Sequence, residues 1–224
     1  MEKSFCTLLF FLVSLCSYCQ DDSLKEISLI FDSTVSLENS DLSYGKLYTS
    51  NFRIDNKNHP YFESLNYNVG DLTYNNHKYY NVNLKYDLLN DKLITKINLK
   101  EIVLNDVLIS NFRINNFSFL NSKKYGFLEI LHLSDQLSVF KKHYKTKQKK
   151  LDQRYTYFKF KEEENYFFEY KNTMYEFKNK NDFIKVLPEM KKAITNYFRA
   201  NNKLKRKNSD LFMINLIKYL NNLK

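Results

Sequence analysis

The densest group of chemically similar side chains in the sequence is a run of lysines between positions 141 and 150. Its members are Lys141, Lys142, Lys145, Lys147, Lys149 and Lys150. Clustered ammonium groups attract anions, so the run predicts a surface that contacts phosphate-bearing lipid or anionic polysaccharide. The alternative is a solvated surface with a lysine bias typical of an A/T-rich genome, because Lys outnumbers Arg 30 to 5.

Three adjacent carboxylates, Glu162 to Glu164, are the candidates for acid–base chemistry. A glycosidase needs two carboxylates about 5–10 Å apart across a cleft. Adjacent residues do not all face one site, and charge runs are usually solvated. The sequence therefore predicts a solvated turn here, between two strands, and leaves a hydrolase with an unrecognised carboxylate site as an alternative function.

Other catalytic, metal-binding and cofactor-binding patterns are absent from the sequence. It has three glycines and contains no GxGxxG, GxSxG or HExxH pattern. A metal site would need ligands from separate strands, for which His59 and Asp87 are the best candidates. We therefore predict no metal, no cofactor and no catalytic residue, and we favour a protein that is not an enzyme.

The net charge of +10 is concentrated near the C-terminus. Residues 141–224 hold 22 Lys+Arg against 9 Asp+Glu, whereas residues 1–140 hold 13 against 16. Nucleic-acid readers favour Arg for base edges, so we predict no nucleic-acid partner. The expected partner is an unidentified envelope protein or ligand, with anionic lipid or polysaccharide as the specific alternative.

The N-terminus has the pattern of an export signal. Lys3 precedes the apolar run Phe5–Leu15, and acidic residues follow soon after it. The run is too short for a transmembrane helix and has the length of a signal-peptide core. We predict a signal peptide over residues 1–19 with cleavage between Cys19 and Gln20, which gives a periplasmic or secreted protein.

All three cysteines lie in or beside this segment. Cleavage before Gln20 removes Cys6, Cys16 and Cys19, so the mature chain has no disulfide and no thiolate site. In the alternative, Cys19 becomes the lipidated first residue of an outer-membrane lipoprotein. A lipid there would anchor the protein to the membrane.

Residues 20–178 have the pattern of an antiparallel β domain. Short runs of aromatic and β-branched residues alternate with polar turn signals every 8–12 residues or so. Asn and Asp tolerate the positive φ of tight hairpin turns. The signals are Asn75-Asn76, Asn90-Asp91, Asn105-Asp106, Asn115-Asn116, Ser134-Asp135 and Lys171–Thr173. We predict a mainly β (α+β) fold of about nine to eleven strands, an antiparallel meander forming a curled sheet or partly open barrel.

Two seven-residue segments of the chain are nearly identical, a similarity that we call the internal echo. Ser50–Asn56 matches Ser110–Asn116 at six of seven positions, although the flanks differ. We interpret the two segments as similar strand-to-turn junctions rather than a tandem repeat.

Residues 179–224 have helical spacing instead. A short helix is predicted to end near Leu187, and a new one to start at Pro188. Ser209 is the predicted N-cap of a final helix over Asp210–Leu220, with Asn201–Asn208 as a connection. We expect two or three C-terminal helices packed on the β domain.

Several short motifs resemble a group of uncharacterised exported proteins of Bacteroidetes. These are His59–Phe62, Gly70–Tyr74, Tyr79–Asp87 and Gly126–Leu131. Asn58, Asn75-Asn76 and Asn83 stand where that group has Gly, Asp-Gly and Pro. The resemblance spans most of residues 44–222 and implies export from a bacterial cell but no activity. The leading function is therefore a non-catalytic binding or structural module of the envelope. Its alternatives are a lipid-anchored protein that contacts anionic polymers through its basic C-terminal third, and the hydrolase.

Overall fold

Eleven antiparallel strands form one sheet in the part of the chain that a computed structural model describes, residues 25–26, 28–30, 36–50, 52–151 and 156–223. The strands are β1 (Lys46–Leu47), β2 (Asn68–Tyr74), β3 (His77–Asp87), β4 (Lys92–Ile97), β5 (Lys100–Val103), β6 (Ile109–Ile114), β7 (Phe117–Ser122), β8 (Gly126–His132), β9 (Leu137–Leu151), β10 (Thr156–Tyr170) and β11 (Thr173–Phe177). The prediction of a mainly β, antiparallel fold with C-terminal helices is confirmed.

The strand order is a meander with two interruptions, where β1 pairs with β5 and where β2 pairs with β6. It runs β1-β5-β4-β3-β2-β6-β7-β8-β9-β10-β11. Asparagines make the tight turns as predicted, since Asn75, Asn76 and Asn115 all have positive φ. The prediction fails at Asn105-Asp106, which is not a hairpin. Asn105 instead caps a 3-10 turn over Asp106–Leu108, and the chain crosses from β5 to the far side of β2.

The sheet is strongly curled but does not close. Tyr86 on β3 and Phe127 on β8 are separated by four strand spacings, roughly 19 Å in a flat sheet. Their ring centroids are only 5.7 Å apart. The backbone N–H of Lys145 on β9 also donates to the carbonyl of Leu88, just after β3, at 3.0 Å. Of the two predicted shapes, the curled open sheet is the one observed.

Two apolar clusters fill the inner face, which is the face that carries Phe119 on β7 and Phe168 on β10. The first cluster lies inside the curl, where Phe62 packs against Phe117 and Phe119 at 5.1 and 5.3 Å. The second lies between β9–β11 and the C-terminal helices, where Phe168 stacks on Phe183 at 4.1 Å. Burial of these rings is the main force that holds the fold together.

The helical segment begins directly after β11. It comprises α1 (Lys180–Val186), a 3-10 turn at Pro188–Met190, α2 (Lys191–Ala200), α3 (Asn202–Lys207) and α4 (Ser209–Asn221). The break at Leu187 and Pro188 is as predicted. The predicted connection at Asn201–Asn208 is wrong, because most of it forms α3. The N-cap of the last helix is Asn208 rather than Ser209, and its side chain accepts the N–H of Leu211 at 2.9 Å.

Within the described residues, no helix is both long and apolar enough to span a bilayer.

Candidate functional site

The register of the β9–β10 hairpin brings the charged runs of the sequence together. Lys141 lies opposite Tyr166, His143 opposite Glu164, and Lys145 opposite Glu162. Side chains on a strand alternate between its two faces. These residues therefore share the inner face, where they separate the two apolar clusters.

We call this group the charged seam. Its members are Glu129, Lys141, His143, Lys145, Glu162, Glu164, Tyr166 and Asp210. β8 supplies the first residue, β9 the next three, β10 the following three, and the first turn of α4 supplies Asp210.

His143 is the buried centre of the charged seam. Its Nε2 lies 2.5 Å from Glu129 Oε2, and its Nδ1 lies 3.8 Å from Glu162 Oε1. The edge of its ring packs against Phe62 at 5.0 Å. Burial alone would lower the pKa of His143, but the hydrogen bond to Glu129 and the nearby carboxylate of Glu162 outweigh burial and raise that pKa.

Lys141 joins the sheet to the last helix. It is only 7% exposed, and its Nζ donates to Asp210 Oδ2 at 2.7 Å. Tyr166 donates to Asp210 Oδ1 at 2.5 Å, and its hydroxyl oxygen lies 3.1 Å from Glu164 Oε1. Burial opposes the charge of Lys141, yet the bond to Asp210 raises the pKa of the lysine above its ordinary value.

The prediction of a turn at Glu162–Glu164 is wrong, because all three residues lie within β10. Glu162 and Glu164 face the charged seam, whereas Glu163 contacts Tyr144 and Thr146 on the other side of the hairpin. Each carboxylate of the charged seam has a cation or phenol within 3.8 Å. The arrangement neutralises buried charge, which is a structural role.

The outer half of the same hairpin projects beyond the sheet. β8 pairs with β9 only as far as Lys141, and β11 pairs with β10 only from Tyr166. Farther out, at Lys147–Leu151 and Thr156–Lys161, the two strands pair only with each other among the strands described. We call these two stretches the arm. The seven described residues 145–151 extend roughly 20 Å.

The arm is strongly basic and carries aromatic rings. Its exposed cations are Lys147, Lys149, Lys150, Lys159 and Lys161. Among them, Lys161 pairs with Glu163 at 3.3 Å. The Nζ of Lys147 lies 5.0 Å from the ring of Phe52, which in turn packs edge-on against Phe158 and Phe160. Cations beside aromatic rings are typical of surfaces that bind anionic polymers.

The predicted lysine site is divided by the structure. Lys141 and Lys145 belong to the charged seam, and Lys145 also donates to the carbonyl of Tyr61 at 2.7 Å. Lys142 pairs with Asp91 at 2.6 Å. Of the six, Lys147, Lys149 and Lys150 lie on the arm, with Lys147 and Lys149 on one face and Lys150 on the other.

Sequence reasoning missed four cations that join them. Lys159 and Lys161 reach the arm through the pairing of β10 with β9. Arg53 and Lys57 lie on a loop that is fastened to β10. The alternation of lysines along β10 was a sequence signal for Lys159 and Lys161. No sequence signal placed the loop with Arg53 and Lys57 beside the arm.

His59 and Asp87, the candidate metal ligands from the sequence, both hydrogen-bond to backbone groups. His59 Nδ1 accepts the N–H of Tyr61 at 3.2 Å, and buried Asp87 accepts the N–H groups of Leu89 and Asn90 at 2.9 and 3.1 Å. No group of three or more His, Cys, Asp or Glu in the described ranges is arranged to hold a metal ion.

The predicted cleavage site at Cys19 and Gln20 lies outside the described residues. No protein-family model matches the sequence, and no curated protein or solved structure is significantly similar to it.

Proposed function

We propose that this chain is an exported protein of the bacterial envelope that acts as a non-catalytic binding module, with the arm as its contact surface for anionic polymers. The observation that carries the proposal is the arm itself. It carries five exposed lysines on one hairpin, with Lys147 and Lys149 on one face and Lys150, Lys159 and Lys161 on the other. Its anionic partner is a lipid headgroup or a polysaccharide, whose shared chemistry is a dense array of negative charge.

Export is supported by the sequence. The N-terminal pattern is that of a signal peptide, and every cysteine precedes Gln20. The fold supports a domain that needs no disulfide, because two large apolar clusters stabilise it. The carboxylates of the charged seam are paired with cations and phenols, which favours a binding module over a hydrolase.

The test compares two variants that change net charge equally. In the arm variant, Lys149, Lys150 and Lys159 are each replaced by Glu. In the control variant, the exposed helix residues Lys191, Lys192 and Lys203 are each replaced by Glu. The probes are purified lipopolysaccharide and vesicles that contain phosphatidylglycerol, each titrated at low and physiological salt.

We expect the arm variant to lose roughly 100-fold in affinity, because a lysine near an anionic surface contributes about 1 kcal/mol. The control should lose much less. Binding by the wild-type protein should weaken steeply with salt. Equal losses in both variants would assign binding to net charge and contradict the proposed role of the arm.

A further inference from the structure

A recess lies at the edge of β10 where the arm meets the loop that follows Phe52. Its volume is about 490 Å³, which is within the range of small-ligand sites. We call it the edge pocket. Its lining includes Arg53, Lys57, Lys159, Asn58, Tyr157 and Phe160.

The loop is fixed in place against the arm. The Asn58 side chain donates to the carbonyl of Phe158 at 2.7 Å and accepts the N–H of Phe160 at 2.9 Å. It therefore makes the hydrogen bonds that a neighbouring strand would make on β10. The ring of Phe52 packs edge-on against Phe158 at 5.4 Å. A fixed loop holds Arg53 at the edge pocket before any ligand binds, which lowers the entropy cost of binding.

The charge of the edge pocket is positive. It is lined by three cations and by one carboxylate, Asp55. Asp55 Oδ1 accepts the N–H groups of Lys57 and Asn58 at 2.8 and 2.9 Å. The carboxylate thus forms the turn of the loop and satisfies its backbone. Lys57 and Lys159 are exposed and suited to an external anion, and Arg53 adds positive charge beside them.

The aromatic lining narrows the class of ligand. Tyr157 and Phe160 are half-buried at the edge pocket, so each presents part of its ring. A simple anion needs only the cations. A sugar ring that carries a carboxylate or phosphate would use both the cations and the aromatic rings. The C–H face of the sugar packs on an aromatic ring while its anion pairs with Arg or Lys.

We propose that the edge pocket binds an acidic sugar residue of an envelope polysaccharide. The anion lies among Arg53, Lys57 and Lys159, and the sugar ring packs on Tyr157. This inference rests on the proposed function of the arm, and it selects polysaccharide over lipid as the partner. A lipid surface would instead contact exposed Leu151 at the outer end of β9. Phosphatidylglycerol vesicles are therefore included as a probe.

The experiment measures calorimetric binding of tetragalacturonate, an acidic oligosaccharide. Cellotetraose serves as the neutral sugar and tripolyphosphate as the anion without a sugar. The variants are Lys57→Gln, Tyr157→Ala and Tyr157→Phe. Lys191→Gln is the matched control, because Lys191 is an exposed lysine of α2 that belongs neither to the arm nor to the lining of the edge pocket.

We expect tetragalacturonate to bind and cellotetraose not to bind. Lys57→Gln should weaken binding about tenfold, since a hydrogen bond to a charged group is lost. Tyr157→Ala should weaken binding about threefold to tenfold. Tyr157→Phe should bind as tightly as the wild-type protein, because the ring is retained. Lys191→Gln should change affinity less than twofold.

The other outcomes separate this inference from the proposed function. Equal binding of tripolyphosphate with no effect of Tyr157→Ala would overturn the sugar assignment and keep the arm as an anion-binding surface. Binding to phosphatidylglycerol vesicles but not to tetragalacturonate would likewise overturn it in favour of lipid. Failure of every anionic probe to bind at low salt would contradict both the inference and the proposed function.

Discussion

The buried pair of His143 and Glu129 makes a specific prediction about stability and pH. The two side chains are 7% and 9% exposed, and their closest atoms are 2.5 Å apart. The pKa of His143 is raised in the folded protein, whereas an unfolded histidine titrates near pH 6.5, about the ordinary value. Folding therefore favours the protonated ring. The stabilisation is fully present below about pH 6.5 and is lost as pH rises through the folded pKa.

The perturbation is His143→Gln, which retains a neutral donor for Glu129 but cannot take up a proton. A hydrogen bond to a charged partner contributes about 1.5–3 kcal/mol and a neutral one about 1 kcal/mol. We expect the substitution to cost about 1–2 kcal/mol of unfolding free energy from this source at pH 5.5, and less at pH 9. The lost contact with Phe62 adds a cost that does not depend on pH.

Urea unfolding of both proteins between pH 5.5 and 9 gives the difference in unfolding free energy at each pH. His132→Gln is the control, because burial and Lys218 lower the pKa of His132. The contribution of His132 to wild-type stability therefore grows as pH rises. The cost of His132→Gln should increase with pH, whereas the cost of His143→Gln should decrease. A cost of His143→Gln that is constant with pH, or that increases with pH, would refute the reasoning.

Three further predictions concern other parts of the chain. Gly126→Ala should destabilise the protein by about 1–3 kcal/mol in urea unfolding, because Gly126 has φ +71° and a Cβ there would clash with the Asp91 carboxylate; an unchanged midpoint would contradict this. Asn208→Ala should cost about 1 kcal/mol by removing the N-cap of α4, whereas Ser209→Ala should cost less, and the reverse order in thermal melts would contradict the assignment of the cap. Intact mass of the native protein should show a soluble chain that starts at Gln20; an acylated Cys19 in the membrane fraction would make it a lipoprotein instead.

Local turn chemistry explains why most hairpins were predictable. Asn75, Asn76 and Asn115 adopt positive φ at two-residue turns, which asparagine tolerates better than most residues. The same signal failed at Asn105-Asp106, since a turn signal says where a strand ends but not which strand is adjacent. That choice depends on how β2 and β6 pair, which is a long-range contact.

The internal echo shows the same limit. Phe112 in the second copy lies on β6 and is 2% exposed in the first apolar cluster. Phe52 in the first copy lies in a loop and packs against Phe158 of the arm. The interpretation of the first copy as a strand end is therefore wrong. Nearly identical local sequences differ here because their tertiary neighbours differ.

The candidate sites depended on cross-strand register. The lysines between 141 and 150 and the glutamates at 162–164 were visible as separate runs. Their pairing across β9 and β10 places two of the six lysines and two of the three glutamates in the charged seam. Without the register, the exposed lysines of the arm could not be separated from buried Lys141.

Lysine footprinting tests directly whether the arm is the binding surface. The protein is labelled at exposed lysines with an amine-reactive reagent in the presence and absence of purified lipopolysaccharide, and each site is quantified by mass spectrometry. We expect protection of Lys147, Lys149, Lys150, Lys159 and Lys161, with no change at Lys191, Lys192 and Lys203. Protection of the helix lysines with unchanged labelling of the arm would contradict it.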